Sequence, residues 1–173
     1  MKRIVVGVIA VCAFINVSLA QNSEVRTIAA ADVKTVDGKI VNTAKFSNDG
    51  KPIIISFWAT WCKPCKKELD AISENFAQWQ KETGVKLIAI SIDDSRSSAR
   101  VGTDAKSHGW DYEVYIDENQ DFKRAMNVNN PPHTFVIDGK GNVVWQHNGY
   151  FEGDEDHLYE VLKKVAKGEK VSE

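Results

Sequence analysis

Two cysteines, Cys62 and Cys65, are separated by two residues, a spacing at which their side chains can close a small disulfide ring. The thiolate form of cysteine is a nucleophile, so such a pair suits exchange between a dithiol and a disulfide. The first cysteine would attack a disulfide in a partner, and the second would resolve the mixed disulfide that forms. We therefore predict a redox disulfide in which Cys62 is the nucleophile and Cys65 is the resolving cysteine.

Other uses of a cysteine pair are open at this point. A purely structural disulfide would stabilise the fold weakly, because a two-residue loop removes little chain entropy. A structural zinc site needs about four ligands, and the sequence has neither a second cysteine pair nor finger-like histidine spacing. A c-type haem attachment needs a histidine after the second cysteine, where the sequence has Lys66. We expect no metal ion and no cofactor.

The residues around the pair predict the elements that would position it. The apolar run 53–58 is typical of a buried strand. The residues after Cys65 carry a helical repeat, so Cys62 would lie at a helix N-terminus. Free N–H groups and the positive end of the helix dipole favour a thiolate there, and Lys63 adds positive charge. The pKa of Cys62 is therefore expected below the free-cysteine value of about 8.5, and Pro64 suits the first turn.

Glu68 is the acid that could serve this chemistry. It lies three residues after Cys65, so one helical turn places both on the same face. If burial raises its pKa, Glu68 can accept the proton when Cys65 attacks. The alternative is a solvated glutamate in a lysine-rich first turn.

The segment 58–65, Trp-Ala-Thr-Trp-Cys-Lys-Pro-Cys, resembles the active site of the thioredoxin superfamily. Its continuation Lys-Lys-Glu resembles the TlpA/ResA-like exported thiol–disulfide oxidoreductases. A second segment, 132–138, reads Pro-His-Thr-Phe-Val-Ile-Asp and resembles the family's Pro-Thr-Thr-Phe-Leu-Ile-Asp, whose proline is cis and faces the cysteines. Two motifs in the expected order are far more specific than one cysteine pair.

The resemblance implies roles for individual residues. Catalytic roles fall to Cys62, Cys65, Glu68 and Pro132, and substrate contacts to Trp61, Lys63, Pro64 and Pro131. Two positions depart from the pattern. Thioredoxin has a buried aspartate where this chain has Ser56, and Pro131 stands where the family uses a backbone N–H to hold the substrate. The sequence leaves open whether Pro131 or Pro132 is the cis residue.

Three other features have two interpretations each. Trp61 is expected on the docking surface and Trp58 in the core. His133 either tunes the cysteines or points away from them along its strand. The pair at 93–94, Asp-Asp, could bind a cation, but a loop that caps the following helix explains it better.

The fold class that the resemblance implies is α/β: a thioredoxin fold with a central mixed sheet and helices on both faces. An N-terminal hairpin at 33–46 and an inserted helix–strand segment at 93–127 would be added to it. The patterns further predict a strand at 85–92, a helix at about 97–108 and a short edge strand at 113–116. The predicted domain limits are a leader at 21–31, a thioredoxin-like domain at 32–167 and a flexible tail at 168–173.

The N-terminus has the features of a signal peptide. Lys2 and Arg3 precede an apolar stretch, and Ser-Leu-Ala at 18–20 predicts cleavage before Gln21. Cleavage would remove Cys12 and leave only the vicinal pair, which fits an oxidising compartment. We predict export to the periplasm or cell envelope. The net charge of −2 gives no indication of nucleic-acid binding.

The predicted function is thiol–disulfide exchange. By resemblance, the chain would reduce disulfides in exported proteins with cysteine pairs, apocytochromes c among them, with electrons from a membrane thiol transporter. A thiol peroxidase is an alternative, since the hairpin and insertion also resemble peroxiredoxins of the AhpC/TSA type, although Ala59 stands where those enzymes want a threonine. A redox-inert binding module with a structural disulfide is the other alternative.

Overall fold

A seven-stranded mixed sheet is the framework of the protein in a computed structural model, which describes residues 26–171. The order across the sheet is β2-β1-β5-β4-β3-β6-β7. β4 pairs in parallel with both β3 and β5, and the other pairings are antiparallel. The strands are β1 (Asp32–Thr35), β2 (Ile40–Asn42), β3 (Ile53–Trp58), β4 (Lys86–Ser91), β5 (Glu113–Ile116), β6 (His133–Ile137) and β7 (Val143–Asn148).

Four α-helices connect and cover these strands. They are α1 (Lys63–Thr83), α2 (Val101–Ser107), α3 (Asp121–Ala125) and α4 (Asp154–Ala166), with short 3-10 helices at Thr43–Lys45 and Ser98–Arg100. None of the helices within residues 26–171 is long and apolar enough to cross a bilayer.

β3 lies at the centre of the sheet, where both of its faces are covered. Every residue of β3 is buried, as its nearly unbroken apolar run predicts. Each large apolar side chain buried here contributes about 1.5–3 kcal/mol. α1 connects β3 to the parallel strand β4 and starts directly beyond the end of β3. The centre of the sheet therefore fixes the position of the cysteine pair.

α1 starts where the sequence predicts. Cys62 is its N-cap residue, and Pro64 lies in its first turn, where no N–H is needed. Gly84 ends the helix with φ 68°, a left-handed conformation that glycine adopts at little cost, and its N–H donates to the Gln80 carbonyl. The apolar repeat turns one side of the helix toward the sheet, which buries Leu69, Ile72, Phe76 and Trp79.

Helices cover both faces of the sheet, as predicted. Ser56 on β3 points to the face on which α1 lies, where it contacts Glu68. Its neighbour Phe57 points to the opposite face and packs against Phe122 of α3, with ring centroids 5.2 Å apart. α4 lies beside α1, where Tyr159 stacks on Trp79 at 5.2 Å.

The prediction that 113–116 is an edge strand is wrong. β5 lies inside the sheet, parallel to β4 on one side and antiparallel to β1 on the other. The N-terminal hairpin β1–β2, which was predicted, covers what would otherwise be the open edge of β5. Local sequence patterns do not specify which distant strand a hairpin joins, and this produced the error.

The insertion differs from its prediction in helix length. A 3-10 turn at Ser98–Arg100 precedes α2, so the α-helix is shorter than predicted. The predicted cap by Asp94 is not formed, because neither the 3-10 turn nor α2 has a side-chain cap; the Asp94 backbone carbonyl accepts the N–H groups of Ser97 and Ser98 in a turn. The Asp94 carboxylate is occupied by Arg96, at 2.6 Å.

Residues 26–31 are bound to the sheet, in contrast to the predicted flexible leader at 21–31. Thr27 forms a bridge with Asn142. The Thr43 hydroxyl donates to the Ala29 carbonyl and accepts the Ala31 N–H, at 2.6 and 2.9 Å. Within the predicted tail, Val171 packs against the core. The predicted signal peptide at 1–20 lies outside the described residues.

Candidate active site

Cys62 and Cys65 form a disulfide, with their Cα atoms 5.3 Å apart. Cys62 Sγ accepts the Cys65 N–H at 3.3 Å, so the sulfur occupies the capping position at the helix start. Cys62 keeps 5% of its surface exposed and Cys65 keeps none. Of the two cysteines only Cys62 has any exposed surface, and the roles of nucleophile and resolving cysteine stay predictions.

The active-site turn presents its remaining side chains to solvent. Trp61 is 64% exposed, and Lys63 and Pro64 are exposed too. Trp58 is fully buried and packs edge-to-face against Trp110, with centroids 4.9 Å apart. Trp58 thus lies in the core as predicted, and Trp61 lies on the surface, where its part in docking stays a prediction.

Asp93 anchors this turn, a role that sequence reasoning missed. Its carboxylate accepts the Thr60 N–H at 2.8 Å, the Thr60 hydroxyl at 2.7 Å and the Ser91 hydroxyl at 2.8 Å. Desolvation alone would raise the pKa of Asp93, but hydrogen bonds from Thr60 and Ser91 outweigh it and hold this pKa below its ordinary value. The aspartate pair at 93–94 is therefore neither a cation site nor a helix cap. It joins the insertion to the residue before Trp61.

Glu68 is buried beneath the cysteines, as the functional interpretation requires. It is 5% exposed and lies one helical turn from Cys65 on the inward face of α1. The Thr134 hydroxyl lies 2.7 Å from one carboxyl oxygen, and the Ser56 hydroxyl lies 3.2 Å from the other. Desolvation raises the pKa of Glu68 to about 7, against the opposing effect of these two hydroxyls. The solvated alternative is excluded.

No basic side chain among residues 26–171 lies within ion-pair distance of the Glu68 carboxylate. Asp154 at the start of α4 repels it, which raises the pKa of Glu68 further. Glu68 can therefore carry a proton at neutral pH and can also lose it, as a proton acceptor must.

Pro132 is buried and follows a cis peptide bond, Pro131–Pro132. This settles which of the two prolines corresponds to the family's cis residue. β6 starts directly after Pro132 and runs antiparallel to β3, with Phe57 opposite His133. The two prolines and the cysteine turn therefore lie at the same end of the central strands β3 and β6.

His133 points away from the cysteines. It stacks on Phe135 with centroids 4.4 Å apart, on the face opposite to Thr134 and Glu68. Desolvation holds the pKa of His133 below its ordinary value. Of the two interpretations left open by the sequence, the structure supports the one without a catalytic role.

Open cavities flank the turn on both sides. One of about 540 Å³ is lined by Trp61 and by Arg100 of the insertion. Another of about 680 Å³ is lined by Lys63, Pro64 and Phe151, and Phe151 is 79% exposed. The first cavity lies against the insertion, and the second lies between α1 and the residues that follow β7.

Within residues 26–171, no group of three or more histidine, cysteine or acidic side chains is arranged to hold a metal ion. The chemistry that the arrangement supports is that of the cysteine pair, with the buried Glu68 one helical turn from Cys65.

Known proteins share this architecture. The profile of the AhpC/TSA family matches residues 25–146. The thiol-disulfide oxidoreductase ResA of Bacillus thuringiensis subsp. konkukian is 32% identical over 133 residues, which cover 77% of this chain and 73% of that protein.

Solved structures agree with these relatives. An uncharacterized thioredoxin-like protein from Porphyromonas gingivalis is 50% identical with a TM-score of 0.73, over 81% of this chain and 92% of that one. A thioredoxin-family thiol:disulfide interchange protein from Chlorobium tepidum TLS is 25% identical with a TM-score of 0.67, over 84% and 99%. Because the family profile and the ResA match each span most of the sequence, the chain belongs to the AhpC/TSA family, and it is a thiol–disulfide oxidoreductase with a thioredoxin fold.

Proposed function

We propose that this thiol–disulfide oxidoreductase reduces disulfides in exported client proteins. The observation that carries the proposal is the pairing of Cys62, which keeps 5% of its surface exposed, with a fully buried Cys65 and a buried Glu68. A nucleophile with an exposed edge can attack a client, and an acid in the core can accept the proton of the second thiol.

The reaction has two steps. The Cys62 thiolate attacks one sulfur of the client disulfide, forms a mixed disulfide and releases a client thiolate. Cys65 then passes its proton to the Glu68 carboxylate and attacks Cys62 Sγ, which releases the second client thiolate. The client gains two electrons, the cysteine pair loses two, and the Cys65 proton ends on Glu68. The product is the disulfide form with a neutral Glu68.

The return half-reaction uses the same proton. A donor thiolate attacks Cys62 Sγ, and Cys65 leaves as a thiolate that Glu68 protonates. A second donor thiolate then attacks the donor sulfur of this mixed disulfide and releases the Cys62 thiolate, so the donor becomes a disulfide and the cysteine pair gains two electrons. We propose a membrane thiol transporter as this donor and exported proteins with cysteine pairs, apocytochromes c among them, as clients. The signal-peptide features at 1–20 support a periplasmic or cell-envelope location.

A thiol peroxidase is the second candidate, because the AhpC/TSA profile matches the chain. Against it, the position three residues before Cys62 is Ala59, which is buried and has no hydroxyl to bind a peroxide. A structural disulfide is disfavoured because it has no use for a buried acid, which costs stability when it ionises.

The experiment is a single-turnover assay with reduced, purified protein. Mixed with a peptide disulfide, it should release the reduced peptide in equal amount and become oxidised itself. Turnover of hydrogen peroxide at a comparable rate would favour the peroxidase, and no reaction with either would favour a structural disulfide. In cells, Cys65→Ser should trap clients on Cys62, and mass spectrometry of the trapped species would identify them.

A further inference from the structure

Two hydroxyl groups hold Glu68 in place, and each is a polar exception in a buried strand. Ser56 interrupts the apolar run of β3, and Thr134 precedes the apolar residues of β6. The two residues are direct partners across the antiparallel pairing, so both point to the α1 face at the same level. Glu68 reaches down from α1 between them. Residues on three separate elements thus meet at one point in the core.

The three groups form a closed triangle of oxygen contacts. Thr134 Oγ1 lies 2.7 Å from Glu68 Oε1, Ser56 Oγ lies 3.2 Å from Glu68 Oε2, and the two hydroxyl oxygens are 3.1 Å apart. A protonated carboxyl and two hydroxyls supply three hydrogens, one for each contact. After Glu68 loses its proton, both hydroxyls can rotate to donate to the carboxylate. The Ser56 and Thr134 hydroxyls can therefore hydrogen-bond to Glu68 in both of its protonation states.

We propose that Ser56 and Thr134 are positioning residues that stabilise the Glu68 carboxylate in the core, in the state that accepts the Cys65 proton. The inference rests on the proposed function and goes beyond it, because it assigns the acid's activity to two neutral residues. Hydrogen bonds to a charged group are stronger than those between neutral groups. Removal of either hydroxyl should therefore destabilise the ionised form of Glu68 more than its neutral form.

No other group facing Glu68 in the described residues can replace the hydroxyls. Asp154 of α4 repels the carboxylate. The Tyr112 hydroxyl donates to the Leu69 carbonyl and the Tyr150 hydroxyl donates to Glu155, so neither phenol donates to Glu68. His147 of β7 lies beside Thr134 in the pairing, and its Nε2 is 3.3 Å from Asp154, without hydrogen-bond geometry. The two effects on the pKa of Glu68 oppose each other: burial raises it and the hydroxyls lower it.

The test compares three variants by stopped flow across pH 5–9. The measured quantity is the rate at which Cys65 resolves a preformed mixed disulfide between Cys62 and a peptide. Thr134→Val keeps the shape and removes the hydroxyl, so the midpoint of the pH profile should rise by about one unit, a roughly tenfold slower reaction below the midpoint. Ser56→Ala should shift the midpoint less, because the Ser56 hydroxyl lies farther from the Glu68 carboxyl than the Thr134 hydroxyl does. Thr134→Ser should keep the parental midpoint.

A second readout separates this inference from the proposed function. Infrared absorption of the Glu68 carboxyl in the disulfide form, assigned by its loss in Glu68→Gln, reports protonation without any client. The Thr134→Val protein should keep the neutral carboxyl band to a higher pH than the parent. An unchanged band and an unchanged kinetic midpoint in a folded Thr134→Val protein would overturn the inference. So would a shift in Thr134→Ser equal to that in Thr134→Val. If the protein reduces no client, the infrared titration still tests whether the hydroxyls stabilise the Glu68 carboxylate.

Discussion

The Asp93 carboxylate lies 2.7 Å from the Thr60 hydroxyl, and this contact joins the insertion to the active-site turn. A second oxygen of the same carboxylate accepts the Thr60 N–H. The inserted segment therefore does more than add a layer to the fold. It fixes the backbone that presents Trp61 and Cys62.

Asp93→Asn should destabilise the protein by about 2–4 kcal/mol. The amide keeps the shape but loses the charge, and its NH2 group cannot accept a hydrogen bond. The free energy of unfolding in urea measures the loss. Asp94→Asn is the matched control, because that side chain contacts Arg96 at the surface, and it should have little effect. Equal effects of the two substitutions would contradict the anchoring role.

Ionisation of Glu68 should make the folded protein less stable as the pH rises. Its pKa is about 7 in the folded protein against an ordinary value of 4.5, so the folded state binds the proton more tightly. Stability from this group is complete below about pH 4.5 and is lost as the pH rises through 7. The loss is at most about 3 kcal/mol.

Glu68→Gln should remove this loss, because a glutamine amide does not ionise. The free energies of unfolding of parent and variant, both oxidised, should differ more at pH 8 than at pH 5, in favour of the variant. Glu74→Gln, on the exposed side of the same helix, should show no such pH dependence. A Glu68→Gln protein whose advantage is the same at both pH values would show that Glu68 titrates normally.

Lys63→Met should lower the reduction potential of the cysteine pair. Lys63 is exposed and adjacent to Cys62 at the helix start, where its charge stabilises the thiolate and thus the reduced form. The expected shift is about 10–30 mV downward, where 30 mV corresponds to about 1.4 kcal/mol. Equilibration with glutathione measures it, and Lys140→Met at the far end of the sheet is the control. A rise in potential would reject this role.

Pro131→Thr should speed the reduction of unfolded disulfide substrates such as insulin. In the resembling family the residue at this position pairs its backbone with the client, and proline has no N–H to donate. One restored hydrogen bond is worth about 0.5–1.5 kcal/mol, so the gain should reach up to tenfold. Pro131→Ala restores the same N–H without a threonine side chain, and it should reduce insulin as fast as Pro131→Thr does. If neither variant is faster on insulin, the missing donor does not limit activity.

The parts of the site that were predictable follow from short-range patterns. The apolar run of β3, the cysteine spacing and the helical repeat after Cys65 place the pair at a helix start, and Glu68 follows one turn later. Each of these relations spans only a few residues, where chain geometry leaves little choice. The prediction of a cis proline at position 132 depended on the resemblance to a known family.

The parts that were missed depend on contacts between distant segments. Thr60 and Asp93 are 33 residues apart, and Ser56 and Thr134 are 78 apart. A lone hydroxyl in each of two buried strands was a visible signal, but only the register of β3 and β6 shows that Glu68 lies between them. The position of β5 was wrong for the same reason, since the hairpin that covers it is more than 70 residues away.

The most direct test of thiol–disulfide exchange through Cys62 is the capture of a mixed disulfide by two single-cysteine variants. Each reduced variant is mixed with a peptide disulfide, quenched with acid and weighed by mass spectrometry. We expect Cys65→Ser to accumulate one peptide on Cys62, because the resolving thiol is absent, and Cys62→Ser to accumulate none, because Cys65 is fully buried. Equal accumulation on both variants, or none on either, would contradict exchange through Cys62.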